Sequence, residues 1–212
     1  MATESFDAHA NLARLMKKED TTQEEIKEAY SAWSKTYDED IRNEAYIGPA
    51  VAAEKLAQKL KEFGYTNDAR ILDLGCGTGL VGEELVKCDY KNIDGVDLTP
   101  ELLEVAKAKG IYGLLQQGSM GSPECKDLGI GANQYDAAIC VGTFTVKHVN
   151  SEGFDDLVHV VKPGGLGCFA VREICWEDPS YGYVAKMDEL CEARKWKLLE
   201  KKYIENYTAN NA

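Results

Sequence analysis

The chain has 212 residues, 44% of them hydrophobic and 28% charged, which is the make-up of one ordinary globular domain with a short appended segment. No stretch approaches the roughly 18 uninterrupted apolar residues of a membrane helix, and Met1 to Asp20 mixes acids and bases without an apolar h-region, which argues against a secretory signal. A net charge of −12, with only short basic clusters at Lys17-Lys18 and Lys201-Lys202, disfavours nucleic acid as a partner.

From about residue 5 to 63 the pattern is helical. Phe6, Leu12, Leu15 and Met16 give a weak apolar face. Thr22-Gln23-Glu24-Glu25 is a capping box, and Ile26, Tyr30, Trp33 and Tyr37 then form one helical stripe. Gly48-Pro49 breaks the chain before Val51, Leu56, Leu60 and Phe63 mark another amphipathic helix, ended by Gly64. From residue 69 strands and helices alternate. Strands are expected at 69–74, 92–97, 111–117, 135–142 and 166–172, with helices at 81–86, from Thr99-Pro100 to Gly110, and near 151–161. After a helix near 181–194, Trp196 to Tyr207 reads as a sixth strand, and the chain closes on Thr208-Ala209-Asn210-Asn211-Ala212. This order predicts an α/β fold, a mostly parallel sheet with helices on both faces. The seven cysteines, at 76, 88, 125, 140, 168, 175 and 191, contain no C-x-x-C pair. Neither a metal site nor a disulfide framework is indicated, and reduced thiols in a cytoplasmic setting are the plain reading.

The informative segment is Leu72-Asp73-Leu74-Gly75-Cys76-Gly77-Thr78-Gly79, between an expected strand and an expected helix. Glycines there let backbone N–H groups approach a ligand without Cβ clashes. Eighteen residues beyond Gly79 stands Asp97, an acid at a strand end able to accept bonds from both hydroxyls of an adenosine ribose. The spacing is G-x-G-x-G, with Leu80 where a dinucleotide G-x-G-x-x-G fingerprint needs its third glycine, so a nicotinamide or flavin fold is disfavoured.

Residue by residue, this loop resembles the first motif of the class I S-adenosylmethionine-dependent methyltransferases, (V/I/L)-L-D-(L/V)-G-x-G-x-G. The resemblance extends to the acid ending the second strand and to Lys162-Pro163-Gly164-Gly165, and covers roughly residues 40 to 175. Tyr37-Asp38-Glu39-Asp40, Tyr46-Ile47-Gly48-Pro49, Val141-Gly142-Thr143-Phe144 and His148-Val149 are similar to a narrower group, the methyltransferase-like proteins named for the Williams–Beuren syndrome region. The resemblance implies a Rossmann-like class I fold of six or seven strands with an N-terminal helical cap at 1–63 and the cofactor-binding domain at 64–212. The family sheet closes with a hairpin for which no apolar run remains after 207.

The same resemblance implies S-adenosylmethionine as cofactor and S-adenosylhomocysteine as product. Gly75, Cys76, Gly77 and Gly79 would line the cofactor, and Asp97 would take the ribose. Asp73 would orient the loop through its amides or meet the cofactor's amino group. Leu98 would pack on the adenine face, while Gly118, Ser119 and Met120 lie where the adenine edge is expected, Met120 being equally suited to core filling. Val141 and Thr143, ending the fourth strand, face the crevice of an open parallel sheet, Thr143 toward the methionine portion. Tyr37 belongs either to the core or to a cover over the cofactor, as does Trp33; Tyr46 is a candidate for the same cover. His148 is either a hydrogen-bonded loop histidine or a general base. The expected activity is methyl transfer to an acceptor, by default a small molecule and second a protein side chain, in a monomer or weak dimer. The alternative is a non-catalytic S-adenosylmethionine-binding sensor or interaction module.

Overall fold

The computed structural model describes residues 8–205; Phe6 and the segment 206–212 lie outside them. Three helices open the chain: α1 (Ala8–Lys17), α2 (Gln23–Trp33) and α3 (Tyr37–Asn43). The expected capping box is formed, the Thr22 hydroxyl accepting from the Glu25 N–H while the Glu25 carboxylate accepts from the Thr22 N–H. The apolar stripe breaks after Trp33, and Tyr37 starts α3, yet the stripe still serves one cluster. Leu12, Leu15, Ile26, Ala29 and Trp33 are buried together, with Tyr30, Tyr37 and Ile41 packed against them.

Helix α4 (Gly48–Glu62) starts at the Gly-Pro pair, with Pro49 in its first turn, where a missing N–H is harmless. Gly64 follows it at φ +81°, the left-handed cap the sequence suggests. The alternating part comprises β1 (Ile71–Leu74), α5 (Leu80–Lys87), β2 (Ile93–Asp97), α6 (Pro100–Ala108), β3 (Leu115–Gln117), β4 (Tyr135–Phe144), α7 (Gly153–Val160), β5 (Val161–Val171), α8 (Glu173–Glu177) and α9 (Tyr183–Glu192). The strands pair in parallel in the order β3-β2-β1-β4-β5.

Odd and even positions of β1 divide between two cores, as the two-residue period of a strand requires. Ile71 faces α4 and α5 with Leu56, Leu60, Val81 and Leu85. Leu72 and Leu74 face α7 and α9 with Phe154, Leu157, Tyr183 and Leu190. Helix α4 therefore packs on the sheet, while Leu12, Leu15, Ile26 and Trp33 of α1 and α2 form a cluster of their own.

The described sheet has five strands rather than six or seven. Residues 196–204 have no regular secondary structure and join no ladder. Side chains hold them instead: Trp196 stacks on Phe169 at 5.6 Å, Glu200 pairs with Lys55 and Lys59, and Lys201 lies over the Trp176 ring. Leu198, Leu199 and Tyr203, within the run expected to be a sixth strand, are exposed. The third strand is also shorter than its expected 111–117. Isolated bonds tie 113–114 to β2, Gly113 N–H to Ile93 O and Gly95 N–H to Leu114 O, both 2.8 Å, and Leu114 N–H to the Asp94 carboxylate at 2.9 Å, while Tyr112 turns inward over the sheet. β5 starts earlier than expected and takes in Lys162-Pro163-Gly164-Gly165, with a register shift against β4.

Candidate cofactor site

The chain runs from β1 through β2 to β3 on one side and then returns to place β4 on the other side of β1. Such a reversal leaves a crevice at the carboxyl ends of the two central strands. The glycine loop occupies its floor. Gly75, Gly77 and Gly79 have φ of +69°, +53° and +93°, a region costly for any residue with a Cβ. A Cβ on Gly75 would collide with the Thr143 hydroxyl, so the loop lies directly against the end of β4. A Cβ on Gly77 would meet nothing within 4 Å and would project into open space.

Asp97 closes the loop from the end of β2. Its Oδ2 accepts from the Gly77 N–H at 2.9 Å and its Oδ1 from the Thr99 N–H at 2.8 Å, which leaves each oxygen further accepting capacity. Thr99 stands at the expected N-cap of α6 but makes no side-chain capping bond. Burial raises the Asp97 carboxyl above its ordinary range against the pull of those two donors.

Asp73, in the middle of β1, is 1% exposed. One oxygen, Oδ2, accepts from the Tyr112 hydroxyl at 2.7 Å; Oδ1 has no partner. Of the two acids, Asp97 and not Asp73 accepts a loop N–H, that of Gly77. Burial, with the nearby Asp97 adding to it and Tyr112 opposing, pushes the Asp73 carboxyl up to about 7. Neither acid has a lysine or arginine partner among the described residues. A buried acceptor without a donor and an open cradle over Gly77 are what a ligand carrying its own N–H donors and positive charge would complete.

The other candidates take varied places. Cys76 is buried, its sulfur against Gly95 and its N–H on Val96 O, so its side chain packs under the loop. Leu98 is half-buried, its carbonyl accepting from the Gln117 amide at 3.1 Å. Gly118 has no room for a Cβ, which would collide with Leu128 O, and Ser119 N–H binds Asp127 O at 2.8 Å. Met120 packs against the α7–α9 core, the core-filling reading of that residue. Val141 is buried on the α4–α5 side, while Gly142 beside it turns to φ +77° under the Tyr46 hydroxyl.

The cap reaches both walls of the crevice. Asp38 accepts from the buried Thr78 hydroxyl at 2.5 Å and pairs with Lys109 at 2.7 Å. On the β4 side, Tyr30 OH meets His148 Nε2 at 2.8 Å, and Gln23 donates to His148 O. His148 Nδ1 lies 2.6 Å from Val146 O, which only an N–H can satisfy; Nε2 is then the acceptor for the Tyr30 hydroxyl. Burial also lowers the His148 pKa, favouring the neutral ring. Both nitrogens are thus engaged, and the histidine clasps the cap to the sheet. Trp33 is core, its indole N–H on Asp40 at 2.6 Å, and Tyr37 rests edge-on against it in the same cluster. Sequence reasoning did not single out Tyr112, Asp38 or Gln117, whose partners lie far along the chain.

Comparison with known proteins agrees with this geometry. Residues 71–165 match a family model described as a methyltransferase domain. Human methyltransferase-like protein 27 is 36% identical over 143 residues, 68% of this chain and 56% of that protein. The ubiquinone biosynthesis O-methyltransferase of Xylella fastidiosa is 32% identical over 99 residues, 46% of this chain and 39% of that one. The chain thus spans about half or less of the length of these relatives. A Methanococcus maripaludis structure, described as a candidate S-adenosyl-L-methionine-dependent methyltransferase, superposes with a TM-score of 0.52 at 19% identity, covering 77% of this chain and 71% of that one, which shows the shared fold. A β1 loop of G-x-G-x-G form, an acid ending β2, a parallel sheet reversed at β1/β4 and these relatives converge: the chain belongs to the class I S-adenosylmethionine-dependent methyltransferase superfamily, alongside the methyltransferase-like proteins of the Williams–Beuren syndrome region.

Proposed function

We propose that the protein binds S-adenosylmethionine in the β1/β4 crevice and transfers its methyl group to an acceptor, a small molecule by preference, in the cytoplasm and as a monomer or weak dimer. The observation that carries this reading is the pair of carboxylates at the crevice, Asp73 buried and Asp97 half-buried, neither with a lysine or arginine partner among the described residues. A pyrophosphate would meet repulsion there, whereas a ligand bearing a sulfonium and an ammonium meets complementary charge.

Asp97 would hold the ribose hydroxyls and Asp73 the amino group. The backbone of Gly75, Gly77 and Gly79 would lie along the ligand, Leu98 against the adenine face, and Gly118 and Ser119 at its edge. Val141 and Thr143 would border the methionine portion. When bound, the cofactor supplies a methyl carbon already activated for in-line displacement. The chain's own contribution is alignment and exclusion of water, which Tyr30, Tyr37 and Tyr46 of the cap side support. His148 is assigned to holding the cap, since neither of its nitrogens is open to an acceptor.

The test is incubation with methyl-labelled S-adenosylmethionine and a panel of small hydroxyl, amine and thiol compounds. Label on a panel member, abolished in Asp97→Ala, supports the reading. Cofactor binding without transfer to the panel or to protein favours the binding module instead.

A further inference from the structure

Tyr112 is placed with more care than a surface strand residue needs. Its ring fills a slot left by glycines on three elements. A Cβ on Gly79 would come within 2.9 Å of the ring, one on Gly82 within 2.5 Å of the hydroxyl, and one on Gly95 within 3.1 Å of the ring. The loop after β1, helix α5 and strand β2 each lack a side chain at the point where this one ring passes. At its tip the hydroxyl donates to Asp73 Oδ2 at 2.7 Å and itself meets the backbone of Gly82, in the first turn of α5. Burial drives its pKa far up, so it stays a donor throughout the physiological range.

Asp73 alone would have two free oxygens in a dry site and no fixed rotation about its last bond. Tyr112 occupies one oxygen and leaves the other, Oδ1, buried and unpartnered. We propose that Tyr112 is a positioning residue for the amino-acid end of the cofactor, fixing the Asp73 carboxylate so that its free oxygen takes a donor from the ligand's α-amino group. The inference rests on the cofactor assignment above. It adds a proton linkage. The groups facing Asp73 are the Tyr112 hydroxyl, the Asp97 carboxyl and the thiols of Cys76 and Cys140, none of them cationic. Tyr112 is the one among them that favours the ionised carboxyl, so removing its hydroxyl moves Asp73 further toward the neutral form.

Calorimetric titration with S-adenosylhomocysteine, which carries the amino group, and with 5′-methylthioadenosine, which lacks the amino-acid end, separates the roles. In wild type, S-adenosylhomocysteine affinity rises with pH through about 7 as Asp73 ionises. Tyr112→Phe keeps the ring in its slot and is expected to bind S-adenosylhomocysteine about tenfold more weakly near neutral pH. Its pH profile moves to higher pH, while 5′-methylthioadenosine affinity changes by less than about twofold. Equal weakening of both ligands would mean that Tyr112 only fills space, and unchanged S-adenosylhomocysteine binding would remove the positioning role; either overturns the inference. If wild type bound neither ligand, the cofactor assignment itself would fall and this inference with it.

Discussion

Replacing Asp73 by asparagine separates what the buried carboxyl costs from what it does. The folded protein holds this carboxyl at about 7, against the ordinary aspartate value of 3.8. The native state therefore binds more protons than the unfolded chain between those limits, and stability falls as pH rises through that window. Three pH units at about 1.4 kcal/mol each set the full penalty on the order of 4 kcal/mol, more than half of it falling between roughly pH 5 and 8. The Asp73→Asn protein would carry no such penalty. The amide oxygen of the new side chain can still accept from Tyr112, and the cost of its buried NH₂, about 1–3 kcal/mol, does not vary with pH. The assay is urea denaturation of both proteins across that range, with the slope m compared to confirm two-state behaviour. The variant's stability relative to wild type is expected to climb by roughly 2 to 3 kcal/mol from the acid to the alkaline end. Other titrating groups, Asp97, Asp156 and His148 among them, are present in both proteins and largely cancel. Parallel stability profiles would refute the account of Asp73 as a desolvated acid kept without a counter-charge.

Two glycine substitutions in the same loop should part company. Gly79→Ala adds left-handed strain and drives a methyl into the Tyr112 ring, so about 2 kcal/mol of stability and the cofactor affinity are lost together, read by thermal melting and calorimetry. Gly77→Ala meets nothing and is expected to cost only about 1 kcal/mol while still blocking the ligand; similar melting losses in both would contradict the mapped free space. Asp38→Ala removes the acceptor of Thr78 and a partner of Lys109. Amides of α1–α3 should then exchange at least about tenfold faster with sheet amides unchanged, and uniform protection would speak against a cap held by this contact. Arg70→Ala should cost about 2 kcal/mol, because the buried Asp94 carboxylate loses a two-nitrogen contact at 2.7 and 3.1 Å. Its ligand affinity should stay within about twofold, since this network with Tyr135 lies at the amino ends of the strands, away from the crevice.

Local chemistry was legible in the sequence where it is continuous along the chain. The capping box at Thr22, the glycine loop after β1, the proline opening α6 and the acid ending β2 depend on neighbours a few residues away, and each stands where its pattern placed it. What escaped depends on pairs brought together only by the sheet. Tyr112 read as one more β-former, because Gly79, Gly82 and Gly95 become a slot only when three elements meet. Tyr30 and His148 are 118 positions apart, and nothing in either segment marks the other as its partner. The expected sixth strand failed for a related reason. The run from Trp196 to Tyr207 read as a strand from its composition, but a ladder needs a partner edge, and here Trp196 and Glu200 anchor the chain through side chains.

The central claim, that the Asp73–Asp97 crevice is an S-adenosylmethionine site, is tested most directly by calorimetric titration of the protein and of Asp97→Ala with S-adenosylmethionine and S-adenosylhomocysteine. The account predicts micromolar binding of both ligands to wild type, weakened at least about tenfold, or about 1.4 kcal/mol, by the substitution. A folded wild-type protein that bound neither ligand would contradict it.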